Sequence, residues 1–127
     1  MKNKTILLGL NELNFDYIKF YIKQGLLPNF KKLFEIQPPI ETTSEKEYKL
    51  LEPWVQWVTI HTGKTFDEHK VFRLGDIVNN PKLSQLFEEL EAEGLSVGAV
   101  SPFNAENRLN NPAFFVPDPW TKTSPSG

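Results

Sequence analysis

Apolar residues along the chain come in short bursts separated by turn-forming residues, and the bursts alternate between two periods. Thr5 to Leu10 (TILLGL) is a continuous apolar run with β-branched residues at its start, the pattern of a strand covered on both faces of a parallel sheet. Asn11 to Asn14 then offers helix-capping side chains. Phe15, Ile18 and Ile22 follow at helical spacing until Gly25, a natural stop. Pro28 suits the first turn of a second short helix carrying Phe30, Leu33 and Phe34 on one face, and Pro38-Pro39 ends it. Residues 40 to 50 carry β-branched residues and then charge, which predicts a strand running out into an exposed loop.

The densest stretch is LEPWVQWVTIHTG, Leu51 to Gly63. Pro53 is placed for the first helical position and Gly63 for the stop. Trp54, Val55, Trp57, Val58 and Ile60 make the intervening helix apolar on nearly all sides, which predicts burial. Residues 64 to 80 show no period and read as a long connecting or functional loop. Asn80-Pro81 opens a further helix with Leu83, Leu86, Phe87 and Leu90 on one face and Gly94 at its end. Leu95 to Val100 reads as another strand. From residue 104 the chain is rich in proline and aromatic residues and reads as an irregular tail.

Strands alternating with helices predict an α/β fold, a mainly parallel sheet with flanking helices and right-handed crossovers. Ligands then gather beyond the carboxyl ends of the strands, here the segments after Leu10, around Glu52 and after Val100. With about three strands and a ragged end, residues 1 to 127 read as the N-terminal part of a single, incomplete domain.

Composition narrows the chemistry. The chain has 39% hydrophobic residues, enough for a core, and fourteen basic against sixteen acidic residues, so no global charge draws it to nucleic acid or to an anionic membrane. Cysteine is absent, which removes disulfides, thiolate metal sites and cysteine nucleophiles together. The apolar run near the N-terminus is short against the roughly 7 to 15 residues of a signal-peptide core. Nothing approaches the roughly 20 apolar residues of a membrane span, so a cytoplasmic chain is expected. The sequence is silent on oligomeric state.

The order of motifs resembles the start of the type I phosphodiesterase and nucleotide pyrophosphatase branch of the alkaline phosphatase-like superfamily, which also contains sulfatases. That family has a strand ending in glycine before an acidic metal ligand, then a helix and a leucine-proline-asparagine step, as in GLNELNFDYI (Gly9 to Ile18) and GLLPNF (Gly25 to Phe30). It next has a hydroxyl nucleophile at the start of a buried helix ending in threonine-glycine, with a histidine beyond. EPWVQWVTIHTG (Glu52 to Gly63) and His69 occupy those places. A leucine-rich helix leading to a strand follows, as in Leu83 to Phe103. The resemblance implies an alkaline phosphatase-like core and a hydrolase or transferase of small-molecule phosphate or sulfate esters that uses a divalent metal (zinc, manganese or magnesium).

This chain departs from the family where the chemistry resides. Asn11, with Glu12 beside it, stands in place of the first aspartate ligand, and the nucleophile position falls on Pro53 or, one residue earlier, on Glu52. A carboxylate at a helix N-terminus is favoured by the helix dipole and is a good hard-metal ligand, so Glu52 is the candidate for both metal binding and catalysis. Asn11 and Glu12 are further candidate metal ligands, with helix capping the ordinary alternative for Asn11. Gln56 and His69 are candidate substrate-binding residues. Trp54 and Trp57 read as core, and Arg73, Asp76 and Arg108 as surface charge. The missing hydroxyl keeps open a second reading, a degenerate member of the fold that serves as a binding or structural module.

Overall fold

The computed structural model describes residues 4 to 126. The chain divides into two compact units, Met1–Thr43 and Ser44–Gly127. Among the described residues the chain is of α/β class, with five α-helices and one parallel pair of strands. No helix among the described residues is long and apolar enough to cross a membrane.

The first unit is a pair of helices, α1 (Phe15–Lys23) and α2 (Pro28–Ile36). Asn14, rather than Asn11, caps α1: its Oδ1 accepts from the amides of Asp16 at 2.9 Å and Tyr17 at 3.1 Å. Gly25 ends the turn at φ 74°, its amide donating to the Ile22 carbonyl while the Leu26 amide donates to that of Tyr21. Pro28 starts α2, and the rings of Phe15 and Phe34 stack at 6.2 Å. The strand expected at Thr5 to Leu10 does not form. That segment has no ladder partner, and Ile6, Leu7 and Leu8 are 89%, 75% and 74% exposed. Residues 40 to 47 are likewise outside any strand.

In the second unit a single 3-10 turn, Tyr48–Leu50, leads into α3 (Pro53–Thr62). Pro53 and Gly63 bound α3 as expected, Gly63 taking φ 64° and donating its amide to the Thr59 carbonyl at 2.8 Å. Its burial is one-sided, however. Val55, Val58 and His61 form the buried stripe at a spacing of three, while Ile60 is 55% exposed. Residues 64 to 80, expected to be loop throughout, hold the short helix α4 (Phe66–His69) and a 3-10 turn at Asp76–Asn79. Val58 of α3 packs with Val71, Ile77 and Leu83 to make the local core.

Helix α5 (Leu86–Ala92) starts later than Pro81, because Gln85 is held in extended backbone. Its side chain donates to the Glu106 carbonyl and accepts from the Glu106 amide, both at 2.9 Å, reproducing a strand pairing with a side-chain amide. β1 (Gly98–Val100) is shorter than expected and pairs in parallel with β2 (Phe114–Val116), in the register Gly98 with Phe114, Ala99 with Phe115 and Val100 with Val116. β2 lies within the segment expected to be irregular. Phe115 is fully buried there, beside the ring of Phe87 at 5.9 Å, and Asn104, Ala105, Asp118 and Thr121 are buried with it.

Arg108 ties this segment down. Its guanidinium donates to the carbonyls of Leu83 (2.7 Å), Ile77 (2.9 Å) and Asn80 (3.0 Å), and Nε donates to Glu106. An arginine that reads as surface charge is therefore a half-buried cross-brace, three of its hydrogen bonds going to the turns that precede α5.

Candidate functional site

Glu52 is the N-cap residue of α3, in extended backbone. Its carbonyl accepts the amides of Val55 at 2.9 Å and Gln56 at 3.0 Å, which opens the helix. Its carboxylate makes no capping hydrogen bond. The half-buried Glu52 thus keeps its acceptor oxygens for another partner, at the positive end of a ten-residue helix.

Gln56 and His69 have engagements of their own. Gln56 Nε2 donates to the Leu50 carbonyl at 2.6 Å and so fixes the turn that feeds α3. His69 is 1% exposed. The Val71 amide donates to its Nδ1 at 3.0 Å, which leaves the ring hydrogen on Nε2, 3.1 Å from Thr59 Oγ1. Nε2 therefore donates to the Thr59 hydroxyl and cannot take its proton, so Thr59 and His69 are not a nucleophile and base pair. Burial lowers the His69 pKa against the opposing effect of Glu45 and Glu68. Thr62, the other hydroxyl of α3, donates to the Val58 carbonyl at 2.7 Å. Both expected substrate contacts thus serve the framework around α3.

Asn11 and Glu12 lie in the first unit and are exposed, Glu12 with φ 55°. Among the described residues no group of three or more His, Cys, Asp or Glu side chains is placed to hold a metal ion. Two open depressions mark the surface, one bordered by Glu88, Glu91, Arg108 and Asn110 and one by Asn14, Asp16, Lys19 and Glu41. Neither is lined by Glu52, Gln56 or His69.

Sequence reasoning missed the residue that organises the surroundings of Glu52. Asn104 is 1% exposed and adopts φ 48°, a left-handed conformation that asparagine tolerates better than most residues. Its Nδ2 donates to the Trp54 carbonyl in the first turn of α3 at 2.8 Å and lies 3.4 Å from that of Arg73. Its Oδ1 accepts the Gly75 amide at 2.8 Å, and its own amide donates to Asp118 Oδ2 at 2.9 Å. Asp118 Oδ1 in turn accepts from Trp120 and Thr121. One side chain thereby fixes the loop of residues 73 to 75 against the head of α3. The pairing of Asn with a left-handed turn was the available signal, but SPFNAEN has no periodicity to reveal it.

Comparison with protein-family profiles, curated proteins and solved structures finds no match to this chain.

The remaining histidine is buried between rings. His61 stacks on Trp57 at 5.6 Å and meets Phe87 at 5.2 Å, and its Nε2 lies 3.2 Å from the Phe103 carbonyl. Nε2 is therefore the donor, and Nδ1 is a buried acceptor without a partner. Burial pulls its pKa down from 6.5 to about 4. At neutral pH both imidazoles are uncharged parts of the packing around α3.

Proposed function

We propose that this chain is part of a hydrolase or transferase of phosphate or sulfate esters with an alkaline phosphatase-like core, and that Glu52 is its acidic contact. The observation that carries the reading is the placement of the Glu52 carboxylate, uncapped at the head of a helix buried along one side. The order of motifs from Gly9 to Phe103 supports it, as does the parallel pairing of β1 and β2. A carboxylate so placed suits a hard divalent cation such as magnesium, manganese or zinc. Such a cation would polarise the ester. Glu52 would hold its share of that charge, while Gln56 and Asn104 keep the helix head in place.

The test is calorimetric titration of the chain and its Glu52→Gln variant with each of the three cations, alongside hydrolysis of bis(p-nitrophenyl) phosphate and p-nitrophenyl sulfate. Binding that weakens at least tenfold in the variant is the expected result. Equal affinity in both proteins removes Glu52 from the site.

A second reading, a non-catalytic binding module, is favoured by the absence of a hydroxyl from the helix head and by the engagement of Thr59 and Thr62 elsewhere. It predicts cation or ester binding without turnover of either chromogenic ester.

A further inference from the structure

The two buried histidines of the second unit are held in different ways, and the difference decides what a proton does at each. His61 lies between Trp57 of α3 and Phe87 of α5, so a charge there opposes the packing of one helix on the other. His69 instead closes a flap. Residues 66 to 71 lie between Gly63, which ends α3, and Phe72, whose carbonyl accepts the Trp54 indole at 3.1 Å. Just beyond, Asn104 holds the Gly75 amide at 2.8 Å. Within the flap only His69 and Val71 are buried, and the Val71 amide donates to His69 Nδ1 at 3.0 Å.

A protonated imidazole donates from both nitrogens. Nε2 already donates to Thr59, but a hydrogen on Nδ1 would face the Val71 amide hydrogen, donor against donor. The contact that closes the flap therefore cannot survive the proton. α3 presents only the neutral Thr59 to the ring, and the core that Val71 joins carries no charge. Glu45, whose Oε1 accepts the Phe66 amide at 2.8 Å, approaches from the segment before the turn at Tyr48–Leu50, and Glu68 and Lys70 flank the ring in sequence. Burial is the largest influence and disfavours the charged ring, the two carboxylates favour it, and Lys70 disfavours it.

We propose that His69 is a proton-operated latch: the protonated ring gives up the Val71 amide, turns to Glu45 and Glu68, and lets residues 66 to 71 open while α5 and the β1 and β2 pair stay folded. The opening is local because little else holds the flap. Phe66 is only half-buried, Asp67, Glu68 and Lys70 are exposed, and Lys70 sits in left-handed backbone at φ 55°, which opening relieves. Opening bares Thr59 and the side of Val58 that packs on Val71. The latch works whether or not a ligand is bound at Glu52.

The test is amide hydrogen exchange on nitrogen-15 chain between pH 7 and pH 5, corrected for intrinsic rates, with both histidine rings followed by NMR. Protection at Lys70 and Val71 should fall at least about tenfold further than at Gly75 and Phe115, with the midpoint of the His69 ring. His69→Asn sets an oxygen near the place of Nδ1 and cannot titrate, so the ratio of Val71 to Phe115 protection should become independent of pH. Glu45→Gln keeps an oxygen for the Phe66 amide and should move the opening to lower pH; it carries the test if the asparagine variant does not fold. Protection lost together at Val71 and Phe115 overturns the proposal, as does a His69 ring that titrates without change at Val71. So does a pH-dependent ratio in folded His69→Asn, or an opening in Glu45→Gln at the pH of the parent.

Discussion

Lowering the pH should destabilise this protein well above the range in which its carboxylates titrate, and His61 should be the main cause. In the folded chain burial holds its pKa at about 4, against 6.5 for the free side chain. Between these values the unfolded state binds the proton and the folded state does not, so stability is complete above pH 6.5 and falls as the pH drops towards 4. The full difference corresponds to about 3 kcal/mol, of which about 2 kcal/mol is already lost near pH 5. Against a total stability of roughly 5 to 15 kcal/mol for a domain, that is a large fraction. No charged side chain offsets it, since the only opposing influence is the carbonyl of Phe103. His69, also lowered by burial, acts with the same sign. Glu68 and Glu91 are lowered by backbone amides, so their contributions are lost as the pH falls from the ordinary carboxylate value downwards, mostly below the range in which His61 acts.

Urea unfolding followed by tryptophan fluorescence at a series of pH values measures this slope, Trp57, stacked on His61, being one of the three tryptophans that report it. His61→Gln keeps a donor in place of Nε2 for the Phe103 carbonyl while removing the titrating group. Its stability should change much less between pH 7 and pH 5, leaving the smaller share due to His69. A His61 ring that titrates near 6.5 by NMR would refute the reasoning. So would a Gln variant with the pH slope of the parent.

Three further outcomes follow from the hydrogen-bond framework. Arg108→Met should cost about 2 to 4 kcal/mol in urea unfolding, because it strands three carbonyls and leaves Glu106 without its cation, and Arg108→Lys should recover little since one ammonium cannot span them. Asn104→Ala should cost about 2 to 4 kcal/mol, and Asn104→Gly about 1 kcal/mol less, the difference isolating the left-handed backbone at φ 48°. Asn14→Ala should lower the helical signal of α1, read by amide exchange, and cost about 1 kcal/mol.

The parts of this fold legible in the sequence are those whose signals are local. Asn14 and Gly25 bracket α1, and Pro53 and Gly63 bracket α3, because caps and stops act within one turn of the helix they bound. Strands depend on a partner, and there the pattern misled in both directions. Thr5 to Leu10 has the composition of a buried strand yet finds no ladder, while Phe114–Val116, hemmed in by Pro112 and Pro117, forms one because β1 lies alongside. Gln85, Asn104 and Arg108 were illegible for another reason. Each bonds backbone groups 21 to 50 residues away through a side chain, and such bonds leave no period in the sequence.

The same distinction sharpens the functional question. The two arginines of the chain are alike in sequence, but Arg108 spends its donors on carbonyls and Glu106, whereas Arg73 is exposed at the loop that Asn104 holds beside α3. Within α3, Gln56, Thr59, His61 and Thr62 each bond to a framework atom, which accounts for their side chains without any ligand. Glu52 is not accounted for in this way. Its backbone opens the helix, but a threonine or serine there would open it as well and, with its short hydroxyl side chain, is the better capping residue. A helix whose every other polar side chain is engaged, headed by an acid that declines the ordinary capping role, makes Glu52→Ser an informative substitution. If the carboxylate has only a structural role, the serine variant should be more stable by up to about 1 kcal/mol with any ligand binding intact; if it holds a cation, the same gain in stability should come with loss of that binding.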